Sequence, residues 1–236
     1  MTNEEFKLEF NTYFNNITSN QAPGVNDYEI SQFLTLAEEQ IVSELYESRY
    51  SGFEKTEELR KSLDALLQQY TIDVSESDID ETNIFETKAY KLNFYYEDVL
   101  YVVMEWAKIG IPETNEQQET TYSKERTVEV IPIKYDDFLR TYKNSFRGVS
   151  KKRVIRLDAS DNRVILHSPK GWDLEEYNFQ FIKKPKPIII GNSDFTGLTI
   201  NGYDAGEDVE CELDSSIHRP ILLRAVQLAK AAWQSK

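Results

Sequence analysis

One cysteine and two histidines are the residues of this 236-residue chain best suited to nucleophilic or metal chemistry. Cys211 lies in the alternating segment VECEL, and His218 follows seven residues later, so a hydrolase that uses this pair is one hypothesis. A buried structural role fits Cys211 better, because unpaired cysteine is among the most buried residue types. His167 and His218 have no second ligand nearby in the sequence at metal spacing. We therefore predict no catalytic residue, no metal and no cofactor.

Familiar motifs and targeting signals are missing from the sequence. It contains no Walker-type phosphate loop, GxGxxG fingerprint, GxSxG elbow or HExxH helix. Acidic pairs such as Asp136-Asp137 could bind magnesium, but 41 Asp and Glu residues make such pairs expected by chance. No stretch approaches the ~20 apolar residues of a membrane span, and the acidic start MTNEEFKLEF predicts no secretory signal. The single cysteine excludes an internal disulfide.

Charge is distributed unevenly along the chain. The net charge of −14 argues against a general nucleic-acid binder, because phosphate contacts need clustered lysine and arginine. Residues 1–125 carry −17, whereas residues 126–236 carry +3. Two halves of opposite charge can be ordinary solvated surface, or they can give a subunit an acidic face that meets the basic face of its neighbour. The basic residues that depart most from the acidic background are Arg140, Lys143, Arg147, Lys151, Lys152, Arg153 and Arg156.

This basic run admits three interpretations. Its lysines can simply protect a solvated strand edge. Its aromatic neighbours, which are Tyr135, Phe138, Tyr142 and Phe146, could stack on nucleic acid. The third interpretation is contact with an acidic surface of a protein neighbour, supplied by the N-terminal helices. The candidate acidic residues are Glu38, Glu39, Glu54, Glu57 and Glu58.

Four segments have the apolar spacing of helices. Thr2 and Glu5 form a capping-box pattern before the first, and Asn26 or Asp27 caps the second. A fifth, shorter helix is expected over Tyr135–Tyr142. The four longer helices are expected at about Thr2–Ile17, Asn26–Tyr46, Glu54–Tyr70 and Ser216–Trp233.

The middle of the chain changes to the period of strands. Tyr90, Leu92 and Phe94 alternate with more polar neighbours, which is typical of a half-buried strand. The ambiguous run Val99–Ile109 predicts a helical turn near Glu97–Leu100 that leads into a strand. Further strands are expected at Arg126–Ile133, Lys152–Leu157, Arg163–Leu166, Tyr177–Ile182, Pro187–Ile190 and Val209–Leu213. Exposed loops or hairpin tips are expected at Thr71–Thr82, Pro112–Glu125 and Gly191–Gly206.

Runs of helices followed by runs of strands predict an α+β fold rather than alternating βαβ units. We expect a helical part over residues 1–83 and a mostly antiparallel, β-rich part with long loops over residues 84–215. The C-terminal helix, over residues 216–236, is expected to pack back on the helical part.

Five segments together resemble virion proteins of crAss-like tailed phages. They are NDYEISQFLTLAEEQIVSELY, FEKTEELRKSLDAL, VEVIPIKYDDFLRTYKNSFR, YNFQFIKKPKPIII and ECELDSSIHRPILLRAVQLAKAA. The family pattern has a strand that ends in a Lys/Arg-Pro-x-Pro-Ile block, matched here by Lys184–Ile188. Its terminal helix follows a Cys/Glu-Leu element and begins with histidine, matched by Cys211, Leu213 and His218. The resemblance implies a ring-forming protein of the head-to-tail connector or tail barrel, without catalytic residues.

The same resemblance implies partners and a location. The chain would form a homo-oligomeric ring, twelvefold if it lies beside a portal, and would contact the portal protein and other ring or tail proteins. DNA would pass through it without sequence-specific binding. It would be made in the bacterial host cytoplasm and reside in the virion, with no role for a membrane. The alternative is a monomeric or dimeric protein-binding module.

Overall fold

The computed structural model describes residues 1–15, 24–50, 61, 63–75, 78–80, 85–94, 98–114, 120–142, 144–160 and 162–234. The chain divides into two compact units. The helical unit comprises Met1–Leu66 and Lys184–Lys236, and the sheet unit comprises Leu67–Lys183. The sequence placed the boundaries at residues 83 and 215 instead.

The helices are α1 (Asn3–Asn15), α2 (Asp27–Tyr50), α3 (Tyr135–Tyr142) and α4 (Ser215–Gln234). The strands are β1 (Leu67–Asp73), β2 (Lys88–Asn93), β3 (Val99–Thr114), β4 (Thr120–Pro132), β5 (Arg153–Ala159), β6 (Arg163–Ser168), β7 (Asp173–Lys183), β8 (Thr199–Ile200) and β9 (Tyr203–Asp204).

Both expected N-terminal caps of the helical unit are present. The Thr2 amide donates to Glu5 Oε2 at 2.9 Å, and the Glu5 amide donates to Thr2 Oγ1 at 3.3 Å. Asn26 and Glu29 make the same reciprocal pair before α2, at 3.0 and 2.8 Å. Each pair satisfies amides that a helix start leaves without an intrahelical partner. Asn26, rather than Asp27, is therefore the cap of α2.

Helix α4 packs against both α1 and α2, which confirms that the C-terminal helix returns to the N-terminal helices. Each helix contributes a buried stripe at helical spacing. The stripe of α1 is made by three phenylalanines, Phe6, Phe10 and Phe14. The buried apolar residues of α2 and α4 are Ile30, Leu34, Ala37, Ile41, Val42, Ile217, Ile221, Leu222, Ala225, Val226 and Ala229.

The sheet unit is built on a seven-stranded sheet with the order β1-β7-β3-β4-β5-β6-β2. Every neighbouring pair is antiparallel except β4 with β5, and the α+β prediction is therefore confirmed. One face of the sheet buries a large aromatic and aliphatic cluster that includes Phe94, Tyr177 and Phe179. On β5, Ile155 and Leu157 pack instead with Phe138 of α3. Helix α3 has the bounds that the sequence predicted.

The predicted third helix, Glu54–Tyr70, is wrong at its C-terminal end. Residues 51–60 and 62 lie outside the described residues, but Leu67–Asp73 is strand β1, which pairs with β7 over its whole length. This strand also replaces the start of the loop expected at Thr71–Thr82. Pairing with a strand about a hundred residues further along the chain overrides a local helical spacing.

Two other local predictions fail for similar reasons. The helical turn expected near Glu97–Leu100 is strand from Val99, and Glu97 is not among the described residues. The hairpin tip expected at Pro112–Glu125 is shorter, because β3 and β4 remain paired out to Thr114 and Thr120. Backbone pairing thus extends well into a polar sequence.

The strands expected at Pro187–Ile190 and Val209–Leu213 reduce to one bridge between Ile189 and Val209. The hairpin expected within Gly191–Gly206 is confirmed as β8 and β9. Its turn residues, Asn201 and Gly202, have φ angles of 49° and 87°, as the tightest hairpin turns require.

Candidate interface on the sheet unit

Helix α3 and the two turns that follow it carry most of the predicted basic run. Arg140 and Arg147 are exposed, as are Lys151 and Lys152 in the next turn. Arg140 lies 3.8 Å from Asp137 one helical turn earlier, a weak surface pair. Lys143 lies outside the described residues. Four of the seven basic residues therefore lie where a partner could reach them.

Phe146 is presented on this turn with 90% of its surface exposed. The Asn144 side-chain oxygen accepts hydrogen bonds from the amides of Phe146 and Arg147, at 2.9 and 3.1 Å. Arg153 Nη1 donates to the Phe146 carbonyl oxygen at 2.7 Å. These bonds fix the backbone that carries the ring. A large aromatic side chain held in this way has the features of an interface anchor.

A groove of about 620 Å³ lies beside α3. Its charged lining consists of Lys134, Arg140, Arg147 and Arg153 against a single acid, Asp137. Ile131, Pro132 and Ile133 supply an apolar floor. An excess of cations above an apolar floor suits a segment that carries both carboxylates and aliphatic side chains.

Further exposed apolar residues lie on α3 itself. Tyr135 and Leu139, one turn apart, are both more than half exposed. Phe138 is buried against the sheet, and Tyr142 is half-buried and accepts a hydrogen bond from the Glu86 amide. The aromatic residues of the basic run therefore split into two anchors and two core residues. The helical spacing alone does not indicate this split, because Tyr135 and Leu139 lie four residues apart just as Phe138 and Tyr142 do.

Arg156 does not belong to the exposed surface, and its assignment to the interface is corrected. It is buried, with Nη1 2.7 Å from Glu105 Oε1 and Nε 3.2 Å from Asp158 Oδ1. The Tyr177 hydroxyl donates to the other Glu105 oxygen at 2.9 Å. Burial raises the pKa of Glu105, while the guanidinium and the hydroxyl oppose that rise. Arg156 neutralises a buried carboxylate.

Two other basic residues are partly engaged within the unit. Arg153 is half-buried, and its Nε is buried without a hydrogen-bond partner among the described residues. The Lys151 ammonium lies 5.8 Å from the centre of the Trp172 ring, and the Arg126 guanidinium lies 5.6 Å from it. Arg140 and Arg147 are exposed beside the groove and take part in neither of these cation–π contacts.

The predicted acidic residues are only partly available. Glu38 is completely buried in α2, and burial raises the pKa of its carboxyl group to about 8. Glu39 is half-buried, accepts a hydrogen bond from Asn201 at 2.8 Å and lies 3.9 Å from Lys184. Glu54, Glu57 and Glu58 lie outside the described residues. Glu38 is therefore removed from the proposed acidic surface.

Cys211 is half-buried and its Sγ donates to Glu38 Oε1 at 3.4 Å. Burial raises the pKa of the thiol, and the neighbouring Glu38 raises it further. His218 has Nε2 2.9 Å from the Leu213 carbonyl oxygen and Nδ1 2.7 Å from the N-terminal nitrogen of Met1. A protonated thiol and a histidine engaged at both ring nitrogens do not form an activated nucleophile and base.

His167 is also structural in its surroundings. Thr87 Oγ1 lies 2.9 Å from its Nδ1, and burial lowers the pKa of the imidazole to about 4. Among the residues that the structure describes, no group of three His, Cys, Asp or Glu side chains is placed to hold a metal ion. None of the described helices is long and apolar enough to cross a membrane.

Exposed cations and exposed apolar side chains thus lie together beside α3 of the sheet unit. A family model described as phage tail ring protein 3/4 matches residues 1–236. "Ring protein 3" of Bacteroides phage crAss001 is 34% identical over 235 residues, which cover 97% of this chain and 95% of the relative. "Ring protein 4/5" of the same phage is 33% identical over 239 residues, 99% and 94% of the two chains. The chain belongs to the phage tail ring protein family.

Proposed function

We propose that this chain is a structural subunit of the phage virion that assembles with copies of itself into a closed ring of the tail. The observation that carries the proposal is the match to the ring protein family along the whole chain. A closed ring of identical subunits needs two different, complementary surfaces on each subunit. We infer that the basic groove beside α3 is one of these surfaces and that its counterpart is acidic, with Glu39, Glu54, Glu57 and Glu58 as the remaining candidates.

We propose further that this ring is part of the head-to-tail connector. Here the ring links the portal to the tail, lines the path by which DNA leaves the head, and has twelve subunits to match a portal. The support for an open path is electrostatic, since a net charge of −14 disfavours adhesion of passing DNA. Mass spectrometry of isolated connectors under native conditions tests this assignment through the number of copies of the chain. A monomer or dimer in every such complex favours the binding-module alternative.

The groove is the proposed binding site for an acidic segment of the neighbouring subunit or ring. Exposed ion pairs contribute only about 0–1 kcal/mol each, so Phe146, Tyr135 and Leu139 supply most of the affinity. The charges of Arg140 and Arg147 set orientation and association rate. Lys151 and Lys152 extend the same positive surface.

Charge reversal of the groove tests this site. The double variant Arg140→Glu/Arg147→Glu is expected to join particles at least tenfold more slowly at low salt, and the difference shrinks at high salt because screening removes steering. The matched control Arg163→Glu/Lys170→Glu makes the same charge change at exposed residues outside the groove. Equal rates for the two variants at low salt would remove the groove from the assembly mechanism.

A further inference from the structure

Strand β1 forms one edge of the seven-stranded sheet, and no strand in the described part of the chain pairs with its outer side. It pairs with β7 over seven consecutive residues without a register shift. Its sequence, LQQYTID, contains no lysine, arginine, proline or glycine. Natural edge strands are usually protected from further pairing by such residues or by bulges. β1 has no lysine, proline or bulge, and its single charged residue, Asp73, is the last residue of the strand.

The direction of the backbone groups of β1 follows from one hydrogen bond. The Val74 amide donates to the Glu175 carbonyl oxygen at 2.9 Å, so Val74 bonds towards β7. Inward and outward residues alternate in an antiparallel ladder, and Gln68, Tyr70 and Ile72 therefore also bond towards β7. The amides and carbonyls of Gln69, Thr71 and Asp73 point away from the sheet. They are the groups that an added strand would bond.

The side chains at this edge are also open to a partner. Tyr70 is 45% exposed, although its ring lies 5.7 Å from that of Phe179 in the apolar cluster. Gln68 and Gln69 are exposed. On the opposite face, Thr71 Oγ1 donates to Asn178 Oδ1 at 2.6 Å, which fixes that side of the strand. An added strand with an apolar residue beside Tyr70 would extend the apolar cluster by one strand.

The outer side of β2 and the part of β4 that precedes its pairing with β5 are protected. On β2, Lys88 and Lys91 lie in the strand, Ile79 bridges Tyr90, and the Asp80 amide donates to the Ala89 carbonyl oxygen at 2.8 Å. On β4, the register shifts where β3 passes Gly110, and Lys124 has a φ of 53°, so a bulge interrupts the edge. The contrast singles out β1.

We propose that the outer edge of β1 receives an extended segment of a second copy of this chain, so that the sheet continues from one ring subunit into the next. The proposal rests on the ring function proposed above, because a ring places an identical neighbour against each subunit. Seven residues of strand span about 23 Å, enough for a specific backbone contact. Strand addition of this kind draws its affinity from main-chain hydrogen bonds and its selectivity from alternate side chains.

Hydrogen exchange tests the proposal on the full-length chain, as the purified monomer and in intact virions. The Gln69, Thr71 and Asp73 amides should exchange freely in the monomer and at least about 100-fold more slowly in the virion, because only the added strand protects them. The Tyr70 and Ile72 amides, bonded to β7, should be protected in both and serve as the internal control. Equally fast exchange of the three outward amides in both states would overturn the proposal.

A photo-crosslinking residue in place of Gln69 identifies what covers the edge. A crosslink to another copy of this chain is the expected product in virions. A crosslink only to a different virion protein would overturn the assignment to a second copy. If the β1 proposal is wrong, the proposed ring function is not affected. Absence of the chain from virions would contradict both proposals.

A pair of proline variants separates the outer edge from the fold. Gln69→Pro removes an outward amide and should leave the monomer folded while reducing incorporation into rings at least about tenfold. Gln68→Pro removes an amide bonded to β7 and should destabilise the monomer itself. Normal incorporation of a folded Gln69→Pro variant would contradict the proposal. If Gln69→Pro also fails to fold, hydrogen exchange of the unmodified chain decides.

Discussion

The two units of the molecule treat a buried carboxyl group in opposite ways. In the sheet unit, Glu105 is matched by the Arg156 guanidinium at 2.7 Å and by the Tyr177 hydroxyl at 2.9 Å. In the helical unit, Glu38 has only the weak Cys211 donor, and its second oxygen has no hydrogen-bond partner among the described residues. Burial holds the pKa of Glu38 near 8. One unit pairs its buried acid, and the other keeps it protonated.

Because of this burial, the charges counted in the sequence are not all charges on the surface of the protein. A formal count assigns Glu38 to an acidic face and Arg156 to a basic face, yet neither residue is accessible. Arg140 and Arg147, by contrast, are exposed beside α3. Burial thus removes charges from both sides of the proposed interface, and the remaining cations lie next to exposed anchors.

The largest expected effect on stability comes from removing the buried guanidinium that pairs with Glu105. Arg156→Met leaves the Glu105 carboxylate buried without its partner and should lower the free energy of unfolding by about 3–5 kcal/mol. Denaturant unfolding of the purified chain measures this loss. Arg147→Met, which removes an exposed arginine, should change stability by less than about 0.5 kcal/mol. Similar losses of unfolding free energy for the two variants would show that Arg156 and Glu105 do not form a buried ion pair.

Glu38 should give the opposite result, because its proton is retained in the folded state. Its folded pKa of about 8 lies above the ordinary value of 4.5, so ionisation favours the unfolded state as the pH rises between these values. Each pH unit in that window costs about 1.4 kcal/mol, and the penalty levels off above the folded pKa.

The variant Glu38→Gln removes this penalty. Its stability relative to the unmodified chain should rise by up to about 4 kcal/mol between pH ~5 and pH ~8, measured by urea unfolding with far-UV circular dichroism. Glu105→Gln is the comparison in the sheet unit and should be destabilising at both pH values, because it breaks a buried ion pair. A stability difference for Glu38→Gln that stays constant with pH would mean that Glu38 is ionised in the fold.

Phe146 tests the exposed surface of the sheet unit rather than its interior. Because its ring is almost fully exposed, Phe146→Ala should leave monomer stability unchanged. Association with the neighbouring subunit should weaken by about 2 kcal/mol if the ring is an interface anchor. Leu8→Ala, an exposed apolar residue of the helical unit, is the control. Unaltered assembly of Phe146→Ala would place the contact elsewhere.

The smallest expected effect belongs to Cys211. Cys211→Ser keeps a donor to Glu38 while removing the thiol, and it should change the free energy of unfolding by less than about 1 kcal/mol. Assembly into particles should be unaffected. A specific loss of function without a loss of stability would revive the hypothesis of a Cys211/His218 hydrolase.

The sequence predicted those parts of the fold that local chemistry determines. The reciprocal Thr2–Glu5 and Asn26–Glu29 caps, α3, α4 and the alternation around Tyr90 all depend on residues within a few positions of one another. Strand β1 was missed because its state depends on β7, far along the chain. No local pattern in LQQYTID reports that pairing.

The interface remains a prediction, and the burial of Arg156 within it has a physical reason that the sequence does not display. Strand β5 is covered on both faces, with Val154 in the main cluster and Ile155 and Leu157 against α3. A strand buried on both sides gives no alternation from which the position of Arg156 could be judged. Which arginine of a basic run enters the core depends on Glu105, a residue of another strand.

Direct imaging of intact virions tests the central claim of a tail ring subunit. We expect a closed ring of identical copies of this chain in the tail, with the groove between Lys134 and Arg147 facing an adjacent subunit or ring. Absence of the chain from the particle, or its presence as isolated copies that do not touch one another, would contradict the claim.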